Sequence, residues 1–165
     1  DKITRGTGDY AEILFGFMFK INGFTIVGRD TKEYKGIKWE KTDHNLDFTI
    51  EKDGIAYGVE VKNTTDYMPA EEFNVKLDMC KYFKISPMFP LRCPSPTQFE
   101  AMENANGLAL KFKTKIFPPT QDDLVHDMWN YMRLPVSIWK EISPKVERTF
   151  IYYHNKKIQQ KSNTG

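Results

Sequence analysis

Apolar residues recur with a helical period near the start of the chain. Over residues 8–21 they follow the i, i+3, i+4, i+7 spacing that lines one face of an α-helix. These apolar positions are Tyr10, Ile13, Leu14, Phe17, Met18 and Ile21. The Asn22-Gly23 pair that follows is typical of a helix end. The pattern therefore predicts a first helix, then a strand over residues 24–29 and a long polar loop over residues 30–44.

An alternation of apolar and polar residues on both sides of Asp53-Gly54 is the clearest pattern in the chain. It runs over residues 46–51 and again over residues 55–62. An Asp-Gly pair between two such segments is a strong signal for a β-hairpin with a two-residue turn. The pattern therefore predicts two antiparallel strands whose register is fixed by the turn, and a three-residue loop would change that register.

The segments that follow alternate between helical and extended patterns. Residues 69–84 predict a helix, because acidic residues lie in the first turn and lysines near the end, as the helix dipole favours. Residues 88–93 predict a strand, which Pro90 would place at a sheet edge or at a bulge. Ser95-Pro96-Thr97-Gln98 is a capping box for another helix, and Gly107 closes that helix.

The last third of the chain has a weaker pattern. Residues 108–116 alternate and predict a strand, and residues 120–133 predict a helix. Beyond Pro135 we expect a short helix and a strand at residues 147–153. Residues 155–165 are polar and lysine-rich, so they predict a mobile tail.

These elements in this order predict an α/β fold with a mixed central β-sheet flanked by helices. The chain has 165 residues, which suits one domain. We expect this domain to cover residues 1–154, with a core over about residues 5–116 and a helical extension over about residues 117–154.

The composition is that of a folded protein, and by itself it gives no nucleic-acid signature. Hydrophobic residues make up 40% and aromatic residues 14% of the chain, which is enough for a sizeable core. With 24 basic and 22 acidic residues, a basic surface must come from local clustering. The two cysteines and three histidines do not have the spacing of a zinc site. No apolar segment is long enough to span a membrane, and the two thiols fit a cytoplasmic protein.

The predicted hairpin turn brings two carboxylates, Asp47 and Glu60, to facing positions. Directly opposed residues hold their Cβ atoms about 4.5–5.5 Å apart, so the two charges repel unless a cation lies between them. Carboxylate oxygens are the ligands that Mg²⁺ and Mn²⁺ prefer. Lys62 lies on the same face, and Gly58 and Ala56 are expected to leave that face open to a phosphate. These groups predict a site for phosphodiester hydrolysis, in which the lysine orients a metal-bound water and stabilises charge on the phosphate.

Glu12 is a further candidate for this site. It shares a face of the first helix with Phe15 and Phe19, and a carboxylate among apolar residues is costly without a partner. Gly16, one turn further on, permits the close approach of another element. Glu12 is therefore expected either to reach the metal cluster and support a second ion, or to form an ion pair with Lys20 or a loop arginine.

The spacing of these residues resembles the PD-(D/E)XK nuclease superfamily, which includes many restriction endonucleases and the archaeal Holliday-junction resolvases. Asp47 is followed after twelve residues by Glu60-Val61-Lys62. The segment Arg5-Gly-Thr-Gly-Asp-Tyr-Ala-Glu12 is similar to the start of the resolvases, and the order of elements over residues 5–116 also matches. Leu46 stands where the proline of the family motif would be, and that proline varies within the superfamily.

The resemblance implies a restriction-endonuclease-like core with the element order αβββαβ plus additions. It implies that Asp47 and Glu60 bind Mg²⁺, that the backbone carbonyl of Val61 joins them, and that Lys62 assists the attacking water. Mn²⁺ is expected to substitute for Mg²⁺. The function implied is that of an endonuclease acting on double-stranded or branched DNA in the cytoplasm, as a homodimer that cuts both strands. The alternatives are a non-catalytic nucleic-acid-binding module that kept the fold, and a nuclease directed at RNA.

Several polar and aromatic residues have two interpretations. Lys111, Lys113 and Lys115 either contact DNA phosphates or protect an edge strand with their charge. Asn63 either touches DNA or caps a turn. Four aromatic residues are interpreted as core or interface groups rather than as base-stacking groups: Trp129, Tyr131, Trp139 and Phe150.

Overall fold

The computed structural model describes residues 2–163, with side chains for residues 6–163. It has an α/β fold in which helices flank a mixed central sheet, as the element order predicts. The helices are α1 (Lys2–Ile21), α2 (Ala70–Phe83), α3 (Pro96–Asn104), α4 (Asp122–Met132) and α5 (Pro144–Asn163). The strands are β1 (Thr25–Thr31), β2 (Glu33–Tyr34), β3 (Ile37–Lys38), β4 (Leu46–Lys52), β5 (Ile55–Val59), β6 (Ser86–Leu91), β7 (Leu108–Lys111), β8 (Lys115–Phe117) and β9 (Val136–Ile138).

The central sheet has five strands in the order β1-β4-β5-β6-β7. The strands β1, β4 and β5 pair antiparallel, whereas β5, β6 and β7 pair parallel. Asp53 and Gly54 have φ angles of 54° and 68°, which both residue types tolerate and which a two-residue type I′ turn requires. The register predicted from this turn is confirmed, because Phe48 pairs with Val59.

Strand β6 is internal to the sheet and pairs with β5 and β7 without a register shift, so the prediction that Pro90 places it at an edge or at a bulge is wrong. The β5–β6 ladder runs as far as the pair Val59 and Met88, and it resumes as a single bridge between Lys62 and Leu91. Proline has no N–H to donate, and Pro90 lies in this interruption of the ladder. Its carbonyl still accepts the N–H of Lys62 at 2.8 Å, which keeps the two strands in register.

Apolar side chains on the two faces of the sheet form separate cores. Helices α1 and α5 contribute Phe15, Phe19 and Phe150 to one core, and all three are fully buried. Helices α2 and α3 contribute Phe73 and Met102 to the other core. Complete burial of one such side chain contributes about 1.5–3 kcal/mol, so the two cores stabilise a helix–sheet–helix arrangement.

The structure differs from the predicted elements at the C-terminal end. Residues 147–153 and 155–163 belong to α5, so the predictions of a strand and of a mobile tail are wrong there. The buried positions of α5 have helical spacing: Val146, Phe150, His154 and Lys157. Two of these four are polar, which is why the apolar pattern of the sequence does not reveal the helix.

Three smaller differences concern short elements. The predicted loop over residues 30–44 contains the β2–β3 hairpin. The predicted strand over residues 108–116 is divided into β7 and β8, and β8 pairs with β9 outside the central sheet.

Among the described residues, no helix combines the length and apolar character needed to cross a membrane.

Candidate active site

Three carboxylates from three elements converge at one end of the sheet. Glu12 lies on α1, Asp30 lies near the end of β1, and Asp47 lies near the start of β4. One oxygen of each lies within 4.8 Å of the other two. Among the described residues, no other group of three acidic, histidine or cysteine side chains has this spacing.

The local structure positions each of these side chains. Glu12 is partly buried on α1, because its neighbour Ala11 and the next turn at Phe15 are fully buried against the sheet. Asp30 has a φ of 45°, a left-handed conformation that aspartate tolerates. It follows an irregularity in β1 after Ile26, and bulges of this kind commonly redirect the side chains that come after them.

Asp47 is bonded to the strand opposite. Its Oδ2 accepts a hydrogen bond from the backbone N–H of Val61 at 2.6 Å. This bond lies just beyond the last pair of the β4–β5 ladder, Phe48 with Val59. It fixes the carboxylate of Asp47 beside the segment that contains Glu60, although the predicted pair of Asp47 with Glu60 is not part of the ladder.

Burial and repulsion raise the pKa values of two of these carboxyl groups. Burial is the largest cause that raises the pKa of Glu12 from 4.5 to about 7, and the carboxylates of Asp30, Asp9 and Glu60 contribute. Burial is also the largest cause for Asp47, followed by the charges of Glu60 and Glu12. Together these causes raise the pKa of Asp47 well above its usual range. The cluster therefore resists carrying its full negative charge unless a cation offsets it.

The three clustered carboxylates have no lysine or arginine partner among the ion pairs described for residues 6–163. The alternative, in which Glu12 pairs with Lys20 or with a loop arginine, is not found among these described side chains. Glu12 does lie close to Asp47, and its role as a ligand for a metal ion stays a prediction. Whether the cluster holds one or two ions is a separate prediction.

Glu60 lies beside the cluster and is paired with two lysines. Its Oε2 lies 2.6 Å from Nζ of Lys76, and its Oε1 lies 3.2 Å from Nζ of Lys62. The side chains of Glu60 and Lys76 are only 1% and 4% exposed, so theirs is a buried ion pair. Lys62 lies next to Glu60 as the sequence predicts, whereas Lys76 was not predicted there, and a metal ion between Asp47 and Glu60 stays a prediction.

Lys62 forms a second ion pair, with Oε1 of Glu72 at 2.7 Å. Burial alone would lower the pKa of Lys62, but the carboxylates of Glu60 and Glu72 raise it above its ordinary value. Lys62 therefore stays positively charged at neutral pH. Its side chain is 26% exposed, so part of it can be reached from solvent.

Helix α2 covers the sheet face beside Glu60. A Cβ atom at Gly58 would lie 2.5 Å from Sγ of Cys80 and 3.0 Å from Cδ1 of Leu46. The glycine thus makes room for the helix, and the expectation that Gly58 and Ala56 leave this face open to a phosphate is wrong.

The side chain of Asn63 is buried and connects two elements of the fold. It is 5% exposed. Its Nδ2 donates to the carbonyls of Thr7 and Ile116 at 2.9 and 2.7 Å, and its Oδ1 accepts the N–H of Ile116 at 2.7 Å. The side chain ties α1 to β8 and is not available for a contact with DNA, so that prediction is wrong.

Lys111 and Lys113 are exposed, at the end of β7 and just after it. Strand β7 is an edge strand of the central sheet, which agrees with the interpretation that the charges of these lysines protect an edge strand. Contact of these lysines with phosphates stays a prediction. Phe150 is a core residue as expected, whereas Trp129 and Tyr131 are largely exposed.

Sequence reasoning missed Asp30 and Lys76. Asp30 lies at the start of the segment predicted as a loop, and no spacing links it to the other carboxylates. Lys76 had a usable signal, because it lies three residues after Phe73 and three before Met79, on the apolar face of α2. A lone lysine on such a face needs a buried partner, and Glu60 is that partner.

Comparison with protein-family models, with curated proteins and with solved structures found no match to this chain. The resemblance to PD-(D/E)XK nucleases accordingly stays a prediction from the sequence.

We expect Glu12 to make the metal-free protein less stable as the pH rises. Because its pKa is raised from 4.5 to about 7 in the folded protein, folding favours the protonated carboxyl. This stabilisation is complete below about pH 4.5 and is lost as the pH rises through about 7. Thermal unfolding in EDTA over this interval, compared with Glu12→Gln, measures this effect together with the change in Asp47, whose pKa Glu12 also raises. Parallel profiles for the two proteins would contradict the raised pKa.

Proposed function

We propose that this chain is a metal-dependent endonuclease that hydrolyses phosphodiester bonds in DNA. The observation that carries the proposal is the convergence of Glu12, Asp30 and Asp47, whose oxygens lie within 4.8 Å of one another. The ammonium of Lys62 is close enough to act on the charge of Glu12. Carboxylate ligands for a divalent cation, together with a fixed positive charge for the phosphate, are the groups that phosphodiester hydrolysis uses.

The donor set fits a hard divalent cation. It consists of carboxylate oxygens without cysteine or histidine, and Mg²⁺ and Mn²⁺ prefer oxygen ligands. The raised pKa values of Glu12 and Asp47 indicate negative charge that such a cation would offset. Mg²⁺ is the proposed ion, with Mn²⁺ as a substitute, and Asp30 is the third proposed ligand. Glu60 and the backbone carbonyl of Val61, which the resemblance implies as ligands, lie beside this set.

The residues around the cluster have distinct roles in the proposed reaction. A bound Mg²⁺ would polarise the phosphate and lower the pKa of a water molecule. Lys62, held between Glu60 and Glu72, would donate hydrogen bonds to the attacking water and to the phosphate oxygens as charge develops. Its raised pKa makes it a charged donor and not a proton acceptor. The hydrogen bond from Val61 keeps the carboxylate of Asp47 in place.

Cleavage of DNA in vitro tests this proposal. The substrates are supercoiled plasmid, linear duplex and a four-way junction, each with Mg²⁺, with Mn²⁺ and with EDTA. We expect cutting with either cation, no cutting with EDTA, and loss of cutting in Lys62→Ala. Cutting that continues in EDTA, or full activity in the variant, would overturn the proposed site.

The second candidate function is a non-catalytic nucleic-acid-binding module with the same fold. It is favoured by one observation, namely that both lysines next to the cluster already pair with Glu60. A thermal-melt titration with Mn²⁺ distinguishes the two functions. A cation site should raise the unfolding temperature by about 5–10 °C when Mn²⁺ is roughly 100 times its Kd. No shift, together with no cutting of any substrate, would favour the binding module.

Three further proposals come from the resemblance to the PD-(D/E)XK superfamily. They are that the substrate is double-stranded or branched DNA, that the protein acts as a homodimer, and that it is associated with DNA in the cytoplasm. Light scattering of the purified protein, with and without DNA, tests the homodimer. An RNA strand of matched sequence in the cleavage assay tests the alternative of an RNA-directed nuclease.

A further inference from the structure

A cavity with lysines at its rim adjoins strand β7 at one edge of the central sheet. Its volume is about 590 Å³, within the usual range for sites that bind small organic groups. Three exposed lysines line it: Lys111, Lys113 and Lys145. Its apolar lining residues are Phe112, Trp139 and Val146. We refer to it as the lysine-rimmed cavity.

The register of the sheet relates this cavity to Lys62. Lys62 bridges Leu91, and Leu91 pairs with Lys111, so the three residues form one row across neighbouring parallel strands. Neighbouring strands lie about 4.8 Å apart, which puts the backbones of Lys62 and Lys111 about 10 Å apart. Helix α1 also connects the two places, because the hydroxyl of Tyr10 donates to the carbonyl of Trp139 at 2.6 Å. The backbones of Lys62 and Lys111 therefore lie at the same end of the sheet.

The charges at the rim are not neutralised by the protein. The ion pairs described for residues 6–163 include none for Lys111, Lys113 or Lys145. Nor is any carboxylate among the described residues that line the cavity. Clustered ammonium groups without acidic partners attract a polyanion such as the DNA backbone.

Trp139 is held firmly at the wall of the cavity. Its backbone N–H donates to the carbonyl of Phe117 at 3.3 Å, and its ring centroid lies 6.1 Å from that of Phe112. A fixed aromatic ring loses little conformational entropy when a ligand stacks on it. Stacking of bases on aromatic side chains beside a basic groove is the general way in which proteins bind unpaired strands. The prediction that Trp139 is a core or interface residue is confirmed in part, because its half-buried ring packs against the core formed by α1 and α5.

We propose that the lysine-rimmed cavity binds an unpaired nucleotide of the DNA strand that enters the active site. The base stacks on Trp139, and the neighbouring phosphates pair with the lysines of the rim. A base inside a duplex cannot enter a concave cavity unless it is extruded, whereas duplex phosphates need no apolar cavity. The inference rests on the proposed DNA nuclease function, and it selects single-stranded or branched regions as the part of DNA that is recognised.

Binding in EDTA tests the cavity separately from cleavage. The probes are a blunt duplex, a single strand, and a duplex with a single-stranded extension, all of equal nucleotide number and labelled for fluorescence anisotropy. We expect the single strand and the extended duplex to bind at least about fivefold more tightly than the blunt duplex, which is the lower end of the effect of stacking one base. Quenching of tryptophan fluorescence by these two probes should be smaller in Trp139→Phe.

Variants of the cavity supply the second test. Trp139→Ala should weaken binding of the single strand by about 5-fold to 150-fold, whereas Trp139→Phe should keep most of it. Replacing Lys111, Lys113 and Lys145 with alanine should lower the slope of log affinity against log salt by about 2, the value for three phosphate contacts. The matched control removes the same number of exposed lysines elsewhere: Lys20, Lys38 and Lys81. The lysine variants keep the test valid even if Trp139→Ala fails to fold.

Two results would overturn the inference. One is a blunt duplex that binds as tightly as the single strand, which would leave the lysines as a duplex-backbone contact only. The other is an equal loss of affinity in the cavity triple variant and in the control triple variant. Either result can occur in a protein that still cleaves DNA in the presence of a metal ion. Absence of cleavage in a protein that binds the single strand as expected would contradict the proposed nuclease function and leave the inference about the cavity intact.

Discussion

Asp47→Asn is expected to lower metal-dependent cleavage of DNA on the order of a thousandfold or more, because a cation in such a site supplies several kcal/mol of transition-state stabilisation. The substitution removes one charge and almost no volume. Asparagine can still accept the N–H of Val61, which in the unchanged protein lies 2.6 Å from Oδ2 of Asp47. The fold should therefore persist, and cleavage of plasmid and junction substrates over a range of Mg²⁺ concentrations measures the effect.

The stability of this variant should respond in the opposite direction to its activity. Burial and the neighbouring carboxylates raise the pKa of Asp47, so removing its charge relieves repulsion in the metal-free protein. We expect the unfolding temperature of Asp47→Asn in EDTA to equal or exceed that of the unchanged protein at neutral pH. We also expect most of the rise in unfolding temperature caused by Mn²⁺ to disappear.

Asp43→Asn is the matched control for this experiment. Asp43 is a fully exposed aspartate in the same segment of the chain, and its partner is Lys32 at 3.1 Å. Its substitution should change neither cleavage nor stabilisation by Mn²⁺, because an exposed ion pair contributes little. Full cleavage by Asp47→Asn, or an equal loss in both variants, would show that Asp47 is not a ligand.

The part of the site that the sequence predicted depends on local structure. The Asp53-Gly54 turn sets the register of β4 and β5 by its own backbone geometry, and the alternation of apolar residues sets which side faces the core. Both signals lie within one hairpin, so the closeness of Asp47 to Glu60 follows from the sequence alone. Glu12 could be added because a carboxylate among apolar helix positions needs a partner.

The part that the sequence did not predict depends on contacts between distant elements. Asp30 joins the cluster through an irregular strand, and no period in the sequence marks that position. The internal position of β6 depends on how the sheet is ordered, which a local rule about Pro90 cannot determine. The long helix α5 was missed because its buried face includes His154, whose ring bonds to Tyr57 at 2.7 Å. Tertiary partners make these polar residues acceptable in the interior.

Lys76→Met is expected to lower the free energy of unfolding by about 3 kcal/mol, the lower end of the range for breaking a buried ion pair. Lys76 lies 2.6 Å from Oε2 of Glu60, and both side chains are almost completely buried. Methionine has a similar length, so the change removes the charge without leaving a large cavity. The effect stays at the lower end because Lys62 also pairs with Glu60. Unfolding in urea measures it, and the unfolding temperature should fall by about 6–12 °C.

Lys81→Met on the exposed side of α2 is the matched control, and it should change stability by less than about 0.5 kcal/mol. Adding Glu60→Gln to Lys76→Met should recover much of the lost stability, because it removes the unpaired buried charge. If Lys76→Met is as stable as Lys81→Met, the ion pair has no role in the fold.

The single variant Glu60→Gln tests whether Glu60 also binds the cation. A purely structural Glu60 leaves the rise in unfolding temperature caused by Mn²⁺ in place in this variant, because Glu12, Asp30 and Asp47 are unchanged. A Glu60 that also binds the cation makes that rise much smaller. The first result would limit the metal site to the three clustered carboxylates, and the second would extend it to the residue that the sequence resemblance implies.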